Sequence, residues 1–296
     1  MKKLLLLFFI LISSCTSTGH RSPANNPDAI DIVFDLDWTL ISKVDASLKG
    51  RKGIIEIGDE LYRVHDWARE LVTALVLDPK YRVSFFSGGP SSRNIKVLEA
   101  ITILDGSQRS FLEVSHKALH REDLLLVEPP ADLENPAPAD RWKKDLKLVN
   151  EDLKKIVMFE DDYRHALNPR QRENILWMGM SFYHIDSSKE LEEAQRVLTD
   201  DSFVPPSIAK WQLQRNKLAI SFGVLEQALE DKKNSELGLS ELVQERLKES
   251  GIESNSVTKK GRNFFDKGSA LLRAVNPRAQ KVALESNCHG LISLFF

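Results

Sequence analysis

The sequence predicts an α/β fold in which helices flank a parallel, Rossmann-like sheet. Three short apolar runs, at residues 30–34, 81–86 and 155–159, have the length and composition of strands buried on both faces. Helical patterns alternate with these runs, which is typical of parallel sheets. Polar side chains follow each run directly, at the carboxyl edge where such sheets bind ligands.

Composition places the chain among ordinary soluble globular proteins. It has 296 residues, 42% hydrophobic and 28% charged, enough for one large domain or two small ones. The formal net charge of -2 gives no sign of a nucleic-acid surface held by charge, so we expect no nucleic-acid partner. The two cysteines, Cys15 and Cys288, make an internal disulfide framework improbable.

The first 14 residues are predicted to be a signal peptide. Lys2 and Lys3 precede an apolar run at residues 4–12, which is too short to span a bilayer. The run leads into Ser13-Ser14-Cys15, which resembles the bacterial lipobox. That resemblance implies a lipid on Cys15 and attachment to the membrane of the cell envelope. A plain secretory signal is the alternative.

The residue after the lipobox cysteine bears on the destination of the protein. It is a threonine rather than an aspartate, which by the same resemblance implies the outer membrane, with the protein facing the periplasm. Residues 15–28 are polar and are expected to tether the folded part to the lipid.

Between the first two strands we expect a small insert and a helix. Residues 53–58 and 60–64 are predicted to pair as a hairpin across Gly58-Asp59, placed as a flap over the loop after the first strand. Helical periodicity covers residues 66–77 and ends at Asp78-Pro79. A second helix is expected at 90–103, with Pro90 near its first turn.

The second half is predicted to be richer in helix. We expect a short helix at 116–120, a short strand at 124–127, a helix at 141–153 and a fourth strand at 175–180. After residue 187 the character changes, and helices are predicted at 188–198, 208–230, 240–249 and 261–274. Residues 29–187 are therefore interpreted as the α/β domain, and residues 188–296 as an α-helical C-terminal extension.

Polar groups end each of the three strands. They are Asp35, Asp37 and Thr39 after the first, Ser87 with Gly88 and Gly89 after the second, and Glu160, Asp161 and Asp162 after the third. Three lysines, Lys143, Lys144 and Lys147, lie on the helix predicted before the third strand. Clustered carboxylates favour a hard cation such as Mg²⁺, which keeps coordination positions for a phosphate. A carboxylate nucleophile, a carboxyl acid and phosphate-binding N–H and hydroxyl groups together suit phosphoryl transfer.

These stretches resemble the four motifs of the haloacid dehalogenase (HAD) superfamily. FDLDWTL at 34–40 is similar to the first motif and SFFSGG at 84–89 to the second. A KDL segment at 144–146 before the acidic group at 160–162 resembles the branch related to RNA polymerase C-terminal-domain phosphatases. The resemblance covers about residues 30–186 and implies a HAD-type sheet with a small hairpin flap or cap. Trp38 and Glu160 depart from the family pattern.

The resemblance also implies a role for each matching residue. Asp35 would be the nucleophile and Asp37 the acid and base. Phosphate binding would fall to Thr39, Ser87, Gly88 and Lys144, and Mg²⁺ binding to Asp35, Asp37, Asp161 and Asp162. Two points stay open: the fourth motif fits as Glu160/Asp161 or as Asp161/Asp162, and Lys143 or Lys147 could replace Lys144.

The sequence thus predicts a Mg²⁺-dependent phosphomonoester hydrolase that works through an aspartyl-phosphate and is anchored in the bacterial envelope. Its substrate would be a phosphorylated small molecule or a phosphoprotein. Two alternatives stand beside this reading: a lipoprotein acid phosphatase or nucleotidase of the same superfamily, and a non-enzymatic scaffold built on the fold.

Overall fold

The computed structural model describes residues 26–198 and 201–279. The predicted signal peptide, most of the tether with Cys15, and the end of the chain with Cys288 lie outside these residues. The strands in chain order are β1 (Ile30–Phe34), β2 (Ile41–Val44), β3 (Ile54–Ile57), β4 (Glu60–Val64), β5 (Tyr81–Phe86), β6 (Ala118–Leu119), β7 (Leu125–Leu126), β8 (Trp142–Lys143), β9 (Ile156–Glu160) and β10 (Ile175–Trp177). The helices are α1 (Ala68–Leu77), α2 (Ser91–Ala100), α3 (Phe111–Val114), α4 (Pro138–Arg141), α5 (Pro169–Arg172), α6 (Ser188–Val197), α7 (Ile208–Lys232), α8 (Leu239–Ser250) and α9 (Lys259–Val275).

The predicted parallel sheet is confirmed, with five strands in the order β10-β9-β1-β5-β6. The central strand, β1, is buried because its apolar side chains belong to a hydrophobic cluster on each face of the sheet. Its one charged residue, Asp31, is fully buried and accepts two hydrogen bonds from Arg82 at 3.0 and 2.6 Å. Phe34 pairs with Phe85 on one side and Phe159 on the other, so three strand ends align at one edge.

The predicted hairpin is also confirmed, and it carries a third strand. β3 and β4 pair antiparallel across the turn at Gly58, whose φ of +61° suits glycine. β2 pairs with the other side of β4, giving the order β2-β4-β3. β2 begins at Ile41, directly after the loop that follows β1, so this three-stranded flap starts at the acidic loop itself.

Two helices predicted in the middle of the chain are wrong. Residues 116–120 instead contain β6, which adds to the edge of the sheet beside β5. Residues 141–153 contain β8, which pairs antiparallel with β7, and single 3₁₀ turns. Asp145 and Asp152 explain the difference, because each side chain accepts the backbone N–H two residues ahead, at 3.1 Å, and so competes with helix formation.

The C-terminal helices pack on the rest of the chain. The predicted helices are present as α6 to α9, and the longest, α7, is buried through most of its length. α7 and α9 approach closely where Gly223 faces Phe264 and Gly268 faces Ala219, since an added Cβ would lie 1.9 Å from a backbone oxygen at either glycine. In the part of the chain that the structure describes, no helix is both long and apolar enough to cross a bilayer.

Candidate active site

The loop after β1 presents Asp35 at the carboxyl edge of the sheet. The Asp35 N–H donates to the carbonyl of Phe159 at 3.1 Å, which continues the pairing of β1 with β9 one residue beyond the strand. The N–H groups of Leu40 and Ile41 both donate to the carbonyl of Leu36 at 2.9 Å, so the chain turns back sharply. Asp35 is therefore held in a fixed backbone, and it is buried.

Lys144 contacts Asp35 and Glu160 together. Its Nζ donates to Asp35 Oδ1 at 2.7 Å and to Glu160 Oε2 at 2.6 Å, and all three side chains are buried. Lys144 lies on an extended segment whose N–H bonds to the carbonyl of His165 at 2.8 Å, not on the helix expected from sequence. Lys143 instead donates to backbone carbonyls of Ala139 and Arg164, and Lys147 is exposed.

The pKa values of Asp35 and Lys144 are both shifted from their ordinary values. Burial raises the pKa of Asp35 to about 8; Lys144 opposes this shift, while Glu160 and Asp37 add to it. Burial lowers the pKa of Lys144, but Asp35 and Glu160 together raise it above its usual value. The lysine therefore stays charged, and it is the positive group that allows two carboxylates to be buried side by side.

An acidic cluster stands next to Lys144. Asp35, Glu160 and Asp161 each offer a carboxylate oxygen, and these atoms lie within 4.8 Å of one another. Burial raises the pKa of Asp161 well above its ordinary value, and the Glu160 and Asp35 carboxylates raise it further. Glu160 is engaged at both oxygens, by Lys144 Nζ at 2.6 Å and by the Asp162 N–H at 3.3 Å.

Asp162 is not brought into this cluster. Its side chain caps the turn at Tyr163–His165 and accepts hydrogen bonds from Arg164 Nε at 3.0 and 3.1 Å. The geometry thus favours the Glu160/Asp161 register of the fourth motif over Asp161/Asp162. The position of Asp162 does not support the expectation that it is the second metal ligand, because its side chain bonds within the turn at Tyr163–His165.

The cluster fits a magnesium ion. Its donors are carboxylate oxygens, the ligands that Mg²⁺ prefers. Burial raises the pKa values of Asp35 and Asp161, and the neighbouring carboxylates raise them further, a repulsion that a divalent cation would offset. Asp35 and Asp161 are the residues that would hold the ion, since Glu160 is occupied by Lys144 and Asp162 lies elsewhere.

The residues predicted to bind phosphate besides Lys144 follow β1 and β5, which are neighbours in the sheet. Ser87 follows β5, is buried, and its Oγ lies 3.5 Å from Asp37 Oδ2 and 3.4 Å from the N–H of Gly89. Gly88 leaves room beside Leu124, with 3.9 Å to the nearest atom from an added Cβ. The Thr39 hydroxyl is buried and has no hydrogen-bond partner among the described residues, so it has bonding capacity for a ligand.

Asp37 has a partner that sequence reasoning missed. Arg93, in the first turn of α2, contacts Asp37 Oδ1 at 2.5 Å and Oδ2 at 2.6 Å. The guanidinium also lies over the ring of Tyr62 in β4, with Cζ 5.1 Å from the ring centroid. The signal in the sequence was an arginine four residues beyond Gly89, at the start of a helix that faces the site.

Trp38, between Asp37 and Thr39, has the left-handed backbone φ of +61°. Its ring stacks on Phe203 with 5.4 Å between centroids and lies 5.7 Å from Tyr183. Trp38, which departs from the family pattern, therefore packs against aromatic rings from the segments on either side of α6.

Comparison with known proteins identifies the family of the chain. The family model of NLI interacting factor-like phosphatases matches residues 30–205, more than half of the sequence. No curated protein matches it significantly. Two solved structures are similar, one of fission yeast RNA polymerase II CTD phosphatase Fcp1 bound to beryllium fluoride and another of Fcp1, an essential RNA polymerase II CTD phosphatase. Each has 14% identity, covers 80% of this chain and 70% of the other, and has a TM-score of 0.36, too low to support an argument.

The family match contains every residue of the site: the loop after β1, the serine after β5, Lys144 and the acidic cluster. It supports an enzyme and speaks against the alternative of a non-enzymatic scaffold. The chain belongs to the NLI interacting factor-like phosphatases, a C-terminal-domain-phosphatase-like branch of the HAD superfamily, and is a hydrolase that acts on phosphate esters.

Proposed function

We propose that the protein hydrolyses phosphomonoesters with the help of Mg²⁺ and through a phosphoryl group carried on Asp35. The contact of Asp35 with Lys144, 2.7 Å, beside the Asp35–Glu160–Asp161 cluster is the observation that carries this proposal. It places a buried carboxylate, a fixed positive charge and oxygen ligands for a cation around one point. Phosphoryl transfer to a carboxylate uses all three.

In the first step, an Asp35 carboxylate oxygen attacks phosphorus and the bond from phosphorus to the leaving oxygen breaks. Asp37, two residues away, gives its proton to that oxygen. In the second step, Asp37 takes a proton from water, the water oxygen attacks phosphorus, and the bond to Asp35 breaks to release phosphate. Bound Mg²⁺ would neutralise charge on the phosphoryl oxygens.

The other residues orient these groups. Lys144 holds one oxygen of Asp35 at 2.7 Å, so the other oxygen is directed to the ligand side. The Ser87 hydroxyl, the Gly88 backbone N–H and the Thr39 hydroxyl provide donors for phosphoryl oxygens. The Asp37 side chain is 36% exposed, so the leaving group can extend into solvent. This openness is compatible with a phosphoprotein as well as with a small phosphoester, and a nucleoside monophosphate is the test for the nucleotidase alternative.

Asp35→Asn is expected to lower turnover of an aryl phosphate by about 10³-fold or more, because an amide is not a nucleophile here. The measurement is kcat with and without Mg²⁺, on aryl phosphate, phosphopeptide and nucleoside monophosphate, with thermal unfolding to verify the fold. Asn is nearly isosteric with Asp, so the variant should stay folded. Full activity of a folded Asp35→Asn protein would exclude the mechanism.

The two registers of the fourth motif can be separated by titration with Mg²⁺. Asp161→Asn is expected to raise the concentration needed for half-maximal activity by about 10-fold or more, because it removes a ligand oxygen from the cluster. Asp162→Asn should change it less than about 3-fold, as Asp162 bonds to Arg164. Binding of Mg²⁺ measured by calorimetry gives the same comparison without turnover. The opposite order of effects would restore the Asp161/Asp162 register.

Lys144→Met is expected to reduce the free energy of unfolding in the absence of metal by about 3–5 kcal/mol at pH 8, because it leaves Asp35 and Glu160 buried without a counter-charge. The loss should shrink at pH 5, since burial raises the pKa of Asp35 to about 8 and that carboxyl is then protonated. Adding Glu160→Gln to the variant should recover part of the loss. Urea unfolding measures all three proteins, and equal stability of single and double variants would contradict the expectation.

We also propose that the protein is attached to the bacterial envelope through a lipid on Cys15. The support is the sequence alone: the basic start, the apolar run at 4–12 and Ser13-Ser14-Cys15. An outer-membrane location facing the periplasm follows from the threonine after Cys15.

Cys15→Ser is expected to move the protein from the detergent phase to the aqueous phase in a partition assay, because the acyl chains that hold it to the membrane are lost. Fractionation of cells with immunoblotting, and the mass of the mature N-terminus, make the measurement. Wild-type protein found in the aqueous phase, cut near residue 15 and carrying no lipid, would favour the plain secretory signal.

A further inference from the structure

Arg93 is held firmly on one side by α2 and the loop after β5. Its Nη1 donates to Asn94 Oδ1 at 2.8 Å, and Asn94 Nδ2 donates to the carbonyl of Gly89 at 2.8 Å. Asn94 is fully buried, and an added Cβ at Gly89 would lie 3.1 Å from Arg93 Cζ. These contacts therefore hold the guanidinium in one position beside the loop that carries Ser87.

The flap holds Arg93 from the other side. The ring of Tyr62 lies under the guanidinium, and the Tyr62 hydroxyl donates to Glu60, which pairs with Lys43 at 2.6 Å. Tyr62 is 2% exposed, whereas Lys43 and Glu60 lie at the surface. Arg93 is thus fixed between α2 and the flap, with Nη2 directed at Asp37.

The Asp37 carboxyl depends more on such a contact for a fixed orientation than the Asp35 carboxyl does. Asp35 is buried against Lys144, but the Asp37 side chain is 36% exposed and follows a short turn. Within the described residues its carboxylate contacts only Arg93, at 2.5 and 2.6 Å, and Ser87 Oγ, at 3.5 Å. A proton donor must lie within about 3 Å of the atom it serves. An exposed carboxyl with several rotamers would meet that condition for only part of the time.

We propose that Arg93 is a positioning residue that fixes the carboxyl of Asp37 above the phosphate-binding loop, on the side where the leaving oxygen departs. The inference rests on the proposed function, since it assigns Asp37 to the leaving group. Arg93 does not touch the transferring phosphoryl group in this role. It acts by restricting Asp37 to one orientation, which the flap and α2 define together.

The consequence is selective for poor leaving groups. A nitrophenolate departs without much help from a proton donor, whereas an alkoxide needs the proton as the bond breaks. Loss of the Arg93 contact should therefore slow alkyl phosphates more than nitrophenyl phosphate. A purely structural role would slow both alike, and direct binding of substrate by Arg93 would act through KM.

The test compares kcat/KM and KM for nitrophenyl, phenyl and alkyl phosphates at saturating Mg²⁺. The proteins are wild type, Arg93→Gln, Arg93→Lys and the matched control Lys96→Gln, whose side chain is exposed on the same helix. Arg93→Gln is expected to lower kcat/KM for the alkyl ester about 10- to 100-fold and for the nitrophenyl ester less than about 3-fold. The loss for Arg93→Lys should lie between those of wild type and Arg93→Gln, because lysine keeps the charge but not the contacts with both α2 and the flap. The control should match wild type.

Two results would overturn the proposal. Equal loss for all esters in folded Arg93→Gln and Arg93→Lys, with folding verified by thermal unfolding, would leave Arg93 a structural role. A rise in KM with kcat unchanged would make it a substrate-binding residue. Failure of the proposed function is distinct: wild type would then show no Mg²⁺-dependent turnover of any ester, before any Arg93 variant is compared.

Discussion

Burial of Lys144 between Asp35 and Glu160 is the constraint on which the rest of the site depends. Phe34 and Phe159 are in register, so Asp35 and Glu160 lie at adjacent strand ends. Their carboxylates would repel each other at this buried edge without the lysine. The lysine neutralises one charge of the pair, and Asp161 adds another carboxylate, so the group remains short of positive charge. That remaining imbalance is what makes a divalent cation a fitting ligand, and a dianionic phosphoryl group with it.

The sheet order places these groups, and the C-terminal helices pack against the domain that carries them. β1 lies between β5 and β9, so the loops after all three strands meet over the same edge. Trp67 Nε1 donates to Oδ1 of Asn216 on α7 at 3.1 Å, and Arg215 of the same helix pairs with Asp66. α7 therefore contacts the start of α1 directly. The division of the chain at residue 187 stays a prediction, while these contacts show the helices packed on the sheet domain.

The sequence predicted what depends on local pattern. Apolar runs followed by polar residues located β1, β5 and β9 and the residues at their ends, because strand burial and strand-end chemistry are both visible along the chain. The helix at 141–153 was wrong because its lysines and leucines have helical spacing, whereas Asp145 and Asp152 close short turns. Arg93 was missed because its partner, Asp37, is 56 positions away and only the fold brings them together.

The same distinction explains the uncertain fourth motif. Three acidic residues in a row fit two registers, and nothing in the sequence separates them. The fold favours Glu160/Asp161, because β9 ends at Glu160, whose side chain meets Lys144 in the interior, and the chain then turns so that Asp162 caps the next 3₁₀ turn with Arg164. Asp161, between them, is left facing Asp35. The end of β9 therefore puts the side chains of Glu160 and Asp162 in contact with Lys144 and Arg164, and the assignment of Asp161 to a metal stays a prediction.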